Sequence, residues 1–214
     1  MFSHEVLTPP TSSAIIQDIK ALQEAGEATI AYFYFDFRGT NKQDLCNALT
    51  SLLMQLSAYS DSYCDILSHV RQAHNNGADK PSAETMMTCL KEMLALRDQA
   101  PVYVILDAID ECPNSSGIPS AREQVLDFLK DLVGLQLPNL HICVTSRPEI
   151  DIRTTLEPLA SYSISIHDQN GQKKDIAEYI RSYVYSDSDT FMTRWKKEDK
   201  EWVIEKLSER ADGM

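Results

Sequence analysis

Positive charge is scarce in this sequence. Its 214 residues include 20 Lys and Arg against 32 Asp and Glu, which leaves a formal net charge of −12 at pH 7. A surface of this sign repels phosphate backbones and anionic lipids, so binding of nucleic acid or of a membrane surface by the chain as a whole is excluded. Any anionic ligand must find a local positive site.

Long apolar runs and paired cysteines are also missing. The apolar run Val102–Leu106 is far shorter than the roughly 20 residues that span a bilayer. The N-terminus has neither the basic start nor the apolar core of a secretory signal. Five scattered cysteines without a C-x-x-C pair disfavour a disulfide framework or a zinc site. We therefore expect a soluble, cytoplasmic protein in which most cysteines pack in the core.

What the sequence does contain is a series of strand patterns separated by helix patterns. Runs rich in β-branched and aromatic residues predict buried strands, and one alternating segment predicts an edge strand. These are residues 28–37, 102–106 and 140–146, and the edge segment 161–167. Strands separated by helices indicate right-handed crossovers and a largely parallel sheet. The fold class is therefore α/β, a layered parallel sheet flanked by helices.

Helix signals lie before, between and after these strands. A first helix is predicted to end at Gly26, and capping-box patterns predict further helix starts at Thr40 with Gln43 and at Ser120 with Glu123. Apolar residues at helical spacing also predict helices around Met86 to Leu94 and over residues 172–185 and 198–210. Residues 72–82 predict an exposed loop.

Two polar clusters follow buried strands. Asp107, Asp110 and Glu111 come after one strand, and Ser146 and Arg147 come after the next. In an open parallel sheet, ligands bind outside the carboxyl ends of the strands, so the two clusters are expected to share one edge. Each cluster taken alone is equally what a buried strand shows where it meets water.

Together the clusters fit a site that hydrolyses phosphate esters or anhydrides. Asp107 can hold Mg²⁺, which takes few protein oxygens and completes its shell with water and substrate phosphates. Asp110 or Glu111 can orient or deprotonate a water, and Arg147 can neutralise a phosphate. A metal-dependent hydrolase that uses the three acids directly is an alternative.

Four segments carry a resemblance to a known family. The chain resembles the NACHT domains of fungal STAND-class proteins, often described as nephrocystin-3-like N-terminal domains, in VYVILDAIDECP, HICVTSRPEID, YFYFDFRGTNKQDLCNALTSLLMQL and QKKDIAEYI. The resemblance implies a three-layer P-loop NTPase fold that uses Mg²⁺ with ATP or GTP as a switch. It also implies self-association through this module and, in longer relatives, C-terminal ankyrin or WD40 repeats.

The resemblance also assigns roles to individual residues. Asp107 matches the Walker B aspartate that positions Mg²⁺, and Asp110 and Glu111 match the catalytic acidic pair that follows it. Arg147 matches the sensor arginine, which binds the nucleotide. Ala108 matches the small residue that follows the first aspartate.

The phosphate-binding loop of the family has no counterpart in this sequence. That loop reads G-x-x-x-x-G-K-[ST], because glycine lets backbone amides wrap the phosphates while lysine reaches them. This chain has no glycine before Gly26 and no Gly-Lys pair, and MFSHEVLTPPTSS stands in that place. We therefore expect an incomplete module without its central first strand, which binds nucleotide weakly or not at all and has no autonomous activity.

Three domain regions follow from the same resemblance. Residues 1–13 are expected to lie outside the family, residues 14–185 to form the NTPase core, and residues 186–214 to begin a following helical region. The alternative function for such a module is a non-catalytic interaction or oligomerisation scaffold that keeps an NTPase-like fold.

Overall fold

The computed structural model describes residues 12–39, 42–96, 99–114, 119–164, 170–185 and 195–210. Two compact units divide these residues, one within Thr11–Ser161 and one formed by the described part of Tyr162–Met214. The first unit contains, in order, α1 (Ser12–Glu24), β1 (Thr29–Tyr34), α2 (Leu45–Ser57), α3 (Asp61–Ala73), α4 (Ala83–Leu94), β2 (Val102–Asp107), α5 (Ala121–Gly134), β3 (Leu140–Val144) and α6 (Ile150–Leu156). The second contains α7 (Asn170–Val184) and α8 (Lys197–Arg210).

The three strands form one parallel sheet in the order β1-β2-β3. Thr29 lies opposite Val102, and Val102 lies opposite Leu140, so the strands start in line and their carboxyl ends share one edge. The predicted parallel α/β sheet is confirmed. The central strand, β2, is the apolar run that the sequence marks as buried.

Helices cover both faces of the sheet. On one face, Ile16 and Ile19 of α1 pack with Ile30 and Ile105. On the other, a larger cluster joins the sheet to α2, α4 and α5 through residues such as Val104, Leu52, Leu90 and Leu129. This layering of helix, sheet and helix is consistent with a P-loop-like three-layer fold.

Two local predictions were wrong. Residues 161–164 form no strand, and Tyr162 and Ile164 are exposed there, so their alternating pattern has no apolar surface to cover. The remainder of that predicted strand, residues 165–167, lies outside the described residues. The second helix begins at Leu45 instead of at Thr40, because the carboxylate of Asp44 is its cap and accepts the Asn47 N–H at 2.8 Å.

Other helix ends agree with the sequence. Gly26, with φ of 76°, follows the end of α1, and the capping box of Ser120 and Glu123 begins α5 with both of its hydrogen bonds. The helices α3 and α6 were not predicted. In α3, Tyr63, Ile66, Leu67 and Val70 stand at helical spacing and pack on the core, which is a signal that the sequence reasoning missed. In α6 there are only seven residues, too few to show such a pattern.

The described part of the second unit contains a pair of helices. Val184 and Ile204 are buried in it. The carboxylate of Glu201 on α8 accepts hydrogen bonds from Arg181 on α7 at 3.0 Å and from Tyr185, the residue after α7, at 2.9 Å. The predicted domain boundaries at residues 14 and 186 stay predictions. Across the described parts of the chain, no helix combines the length and the apolar character that a membrane crossing needs.

Candidate functional site

The candidate site begins where β2 ends. Asp107 is the last residue of that strand, and Ala108 turns the chain in the left-handed region, with φ of 56° and ψ of 49°. Branched side chains are strained at such angles, so a small residue suits this position. The turn Ile109–Glu111 follows and is tied to the next strand, because Ile109 N donates to the carbonyl of Thr145 at 3.1 Å.

Thr145 holds the carboxylate of Asp107. Its hydroxyl donates to Asp107 Oδ1 at 2.5 Å and accepts the Ala108 N–H at 3.0 Å. One oxygen of Asp107 is therefore fixed in place, and no hydrogen bond from a described residue reaches Oδ2. Thr145 was not predicted as a site residue, although its position directly after the third strand, one residue before Ser146, is a signal that could have found it.

Asp110, Glu111 and Arg147 lie together at the same edge. The Arg147 N–H donates to Asp110 Oδ1 at 3.0 Å, and its guanidinium lies 3.5 Å from Asp110 Oδ2 and 3.8 Å from Glu111 Oε1. The side chain of Asp110 is only 7% exposed, whereas that of Arg147 is 78% exposed. The two clusters therefore share one edge of the sheet, where Arg147 pairs with Asp110 and Glu111 and Asp107 contacts Thr145.

An open cleft of about 620 Å³ lies beside this group. Its walls come from the loops that follow all three strands. Glu111 reaches the first of these loops, where Oε2 accepts the Phe37 N–H at 3.4 Å, and Cys112 Sγ donates to the carbonyl of Gln43 at 2.9 Å. The lining includes Phe37, Arg38, Gln43, Glu111, Arg147 and Glu149.

Arg122 forms the buried floor of the cleft. Its Nε donates to the carbonyl of Cys112 at 3.0 Å and its Nη2 to the carbonyl of Asp110 at 2.6 Å. Its Nη1 contacts the carboxylates of Glu149 and of Asp151, the latter at 3.3 Å. Burial lowers the pKa of Arg122, but these two carboxylates outweigh that effect and raise it above its ordinary value. The guanidinium therefore stays charged.

Sequence reasoning missed Arg122, although the sequence holds a signal for it. The residue stands in the first turn of α5, where a positive charge opposes the helix dipole. A basic residue at such a position is expected to have acidic partners elsewhere in the fold.

The cysteines near the site are not nucleophiles. Burial raises the pKa of the Cys112 thiol to about 11, and burial also raises that of Cys143. Since the thiolate is the reactive form, both side chains are protonated at neutral pH and pack as small apolar groups. All five cysteines are free, and only Cys64 is exposed.

The residues at this edge could bind the metal of a metal–nucleotide complex but offer little to its phosphates. Asp107 offers the hard carboxylate oxygen that Mg²⁺ prefers, but the described residues contain no group of three or more His, Cys, Asp or Glu that could hold a metal. The phosphates would need backbone amides and a lysine, and the sequence has no Gly-Lys pair. Among the described residues, the metal would therefore rest on Asp107 alone.

The fold and this edge define the class of the protein: an α/β domain of P-loop-like layering with a polar site at the carboxyl ends of its strands. Residues 11–147 match the family model described as Nephrocystin 3, N-terminal. The match spans more than half of the chain, so the chain belongs to this family, and it includes the acidic cluster and ends at Arg147. No curated protein and no solved structure matches the chain.

Proposed function

We propose that the chain is a NACHT-type module of the STAND class whose ancestral role is a nucleotide-dependent switch with Mg²⁺ and ATP or GTP. The observation that carries this proposal is Asp107, held by Thr145 at the carboxyl end of the central strand. Membership of the Nephrocystin 3, N-terminal family supports it. Free cysteines throughout the chain support a cytoplasmic location.

In this proposal each acid keeps a separate role. Asp107 is the Mg²⁺ ligand, and Glu111, 19% exposed, is the acid placed to orient a water. Asp110 is less accessible and binds Arg147, so its first role is to hold the sensor arginine at the site. Hydrogen bonds to the substrate in such sites often form fully only when the substrate is bound. The contacts that Asp110 and Glu111 make in the unliganded chain are therefore compatible with a catalytic ancestry.

The chain by itself is expected to bind Mg-ATP and Mg-GTP weakly or not at all. Without the amide cradle and its lysine, most charge-assisted hydrogen bonds to the phosphates are lost. Isothermal titration calorimetry should show no saturable binding in the micromolar range and no autonomous hydrolysis. Any weaker Mg²⁺-dependent binding should disappear in Asp107→Asn and persist in Asp127→Asn, which changes an exposed acid paired with Lys130.

Micromolar binding of Mg-ATP by the unaltered chain would contradict this expectation. Binding that survives Asp107→Asn would remove Asp107 from the metal role. Each result bears on a different part of the proposal, since the first concerns the phosphates and the second concerns the metal.

A second candidate function is a scaffold that associates with a second copy of itself through β3. On the outer edge of β1, the peptide group of Tyr32 is covered, because the Gln55 side chain donates to the carbonyl of Tyr32 at 2.7 Å and accepts the Tyr32 N–H at 3.1 Å. No side chain of a described residue covers a peptide group of β3 in this way. Asn139 and Thr145 bond to β2, so by the alternation of a parallel ladder Ile142 and Val144 turn their peptide groups outward. Unpaired edges of this kind recruit strands from other chains.

Ile142→Pro is expected to weaken this association. Proline removes one outward N–H and is tolerated where the N–H does not serve the sheet. Ile142→Ala is the matched control, because it loses a similar apolar side chain but keeps the N–H. Light scattering over a concentration series should show the dimer fraction falling in Ile142→Pro well below that in Ile142→Ala. A native chain that remains monomeric at high concentration would remove the scaffold hypothesis.

A further inference from the structure

Arg122 is a buried charge that the proposed nucleotide chemistry does not use. Only 7% of its side chain is exposed, and it stands in the helix turn where positive charge is least favourable. A buried ion is retained at low cost only where charges and hydrogen bonds surround it closely. Its surroundings therefore indicate what it does.

The guanidinium of Arg122 joins two segments of the chain to α5, the helix that carries it. Nε and Nη2 bond to two carbonyls of the turn that follows β2, those of Cys112 and Asp110. Nη1 bonds to Glu149 and Asp151, at the start of α6. A planar fork with donors at fixed angles sets distance and orientation together, which an ammonium group cannot do.

The two loops that Arg122 joins are the loops that carry the candidate site. Asp110 is held through its carbonyl by Arg122 and through its carboxylate by the Arg147 N–H. Glu149 lies two residues after Arg147 and is bound to the guanidinium of Arg122. Arg122 therefore contacts Asp110 directly and reaches the segment of Arg147 through Glu149, two residues further along the chain.

We infer that Arg122 is a positioning residue, which sets the acidic turn after β2 against the Arg147 loop after β3. The inference deepens the proposed function and rests on it for regarding these loops as a site. The contact between Asp110 and Arg147 can nevertheless be measured without any nucleotide. A failure of the calorimetric test above therefore leaves this inference standing, and the reverse also holds.

The test is residue-resolved amide hydrogen exchange by NMR on the full chain. Arg122→Met keeps the apolar stem and removes every donor, so exchange of the Arg147 amide should rise by roughly tenfold or more. The Val104 amide in the middle of β2 should keep its rate. A residue that only stabilised the fold would change both rates together, since both would follow global opening.

Two further variants separate the fork from the charge. Arg122→Lys is expected to behave like Arg122→Met at the Arg147 amide, because one ammonium cannot bond to two carbonyls and two carboxylates at once. Arg153→Met, which breaks an exposed ion pair with Glu157 on α6, should leave both amides unchanged.

The double variant Glu149→Gln with Asp151→Asn guards against a misfolded Arg122→Met. These two side chains are 45% and 37% exposed, and their amide forms keep the shape but lose the negative charge that strengthens the hydrogen bonds from Nη1. Local acceleration at Arg147 with Val104 unchanged is the expected result. Three outcomes would overturn the inference. The Arg147 amide could keep its exchange rate in Arg122→Met or in the double variant, or the Val104 amide could accelerate equally. The third outcome is native exchange rates in Arg122→Lys.

Discussion

Replacing Leu52 with Ala is expected to lower the free energy of unfolding of the first unit by about 3 kcal/mol. Leu52 lies in the middle of α2, is fully buried, and belongs to the large cluster between the sheet and α4 and α5. The truncation loses the transfer free energy of the removed methyl groups and leaves a cavity in a densely packed layer. Chemical denaturation followed by circular dichroism measures the change.

Met54, on the same helix, provides the control for this experiment. It is 60% exposed, so Met54→Ala should change the free energy of unfolding by no more than about 0.5 kcal/mol. A cost for Leu52→Ala as small as that of Met54→Ala would mean that α2 does not pack on the sheet as described.

Replacing Thr145 with Val is expected to cost about 1 to 2 kcal/mol. The substitution keeps the shape of the side chain but removes the donor to Asp107 and the acceptor of the Ala108 N–H. The Ala108 amide then loses its only hydrogen bond among the described residues, at a position where the backbone already has a positive φ. Equilibrium unfolding in urea gives the difference.

Thr145→Ser is the matched variant, because serine keeps the hydroxyl and loses only a methyl group. Its cost should be well under half that of Thr145→Val. If serine and valine destabilise the chain equally, the hydroxyl does not hold the carboxylate of Asp107, and the proposed geometry of the metal ligand fails with it. The calorimetric test with Asp107→Asn then has no structural basis.

Patterns that depend on near neighbours in sequence predicted much of the fold. The apolar run before Asp107 predicted a buried strand, because a strand covered on both faces needs apolar residues at successive positions. The capping box at Ser120 and the glycine at position 26 predicted helix ends, because both act within a few residues of the chain. Parallel pairing then placed Asp107, Asp110 and Arg147 at one edge.

Two other local patterns gave wrong predictions. The cap of α2 is Asp44, whose carboxylate accepts the Asn47 N–H, although Thr40 and Gln43 match the capping-box pattern in the sequence. The segment 161–164 has strand periodicity but no strand, because alternation produces a strand only where a neighbouring edge and an apolar surface receive it.

By itself, the sequence determined that this protein is a parallel α/β domain with an acidic cluster and an arginine at the carboxyl edge. These properties follow from apolar periodicity and from the geometry of parallel strands. Only the tertiary structure decided how the acids are held. Thr145 lies 38 residues from Asp107, and Arg122 reaches carboxylates 27 and 29 residues away. Contacts of that range form only after the layers have packed, so no local pattern encodes them.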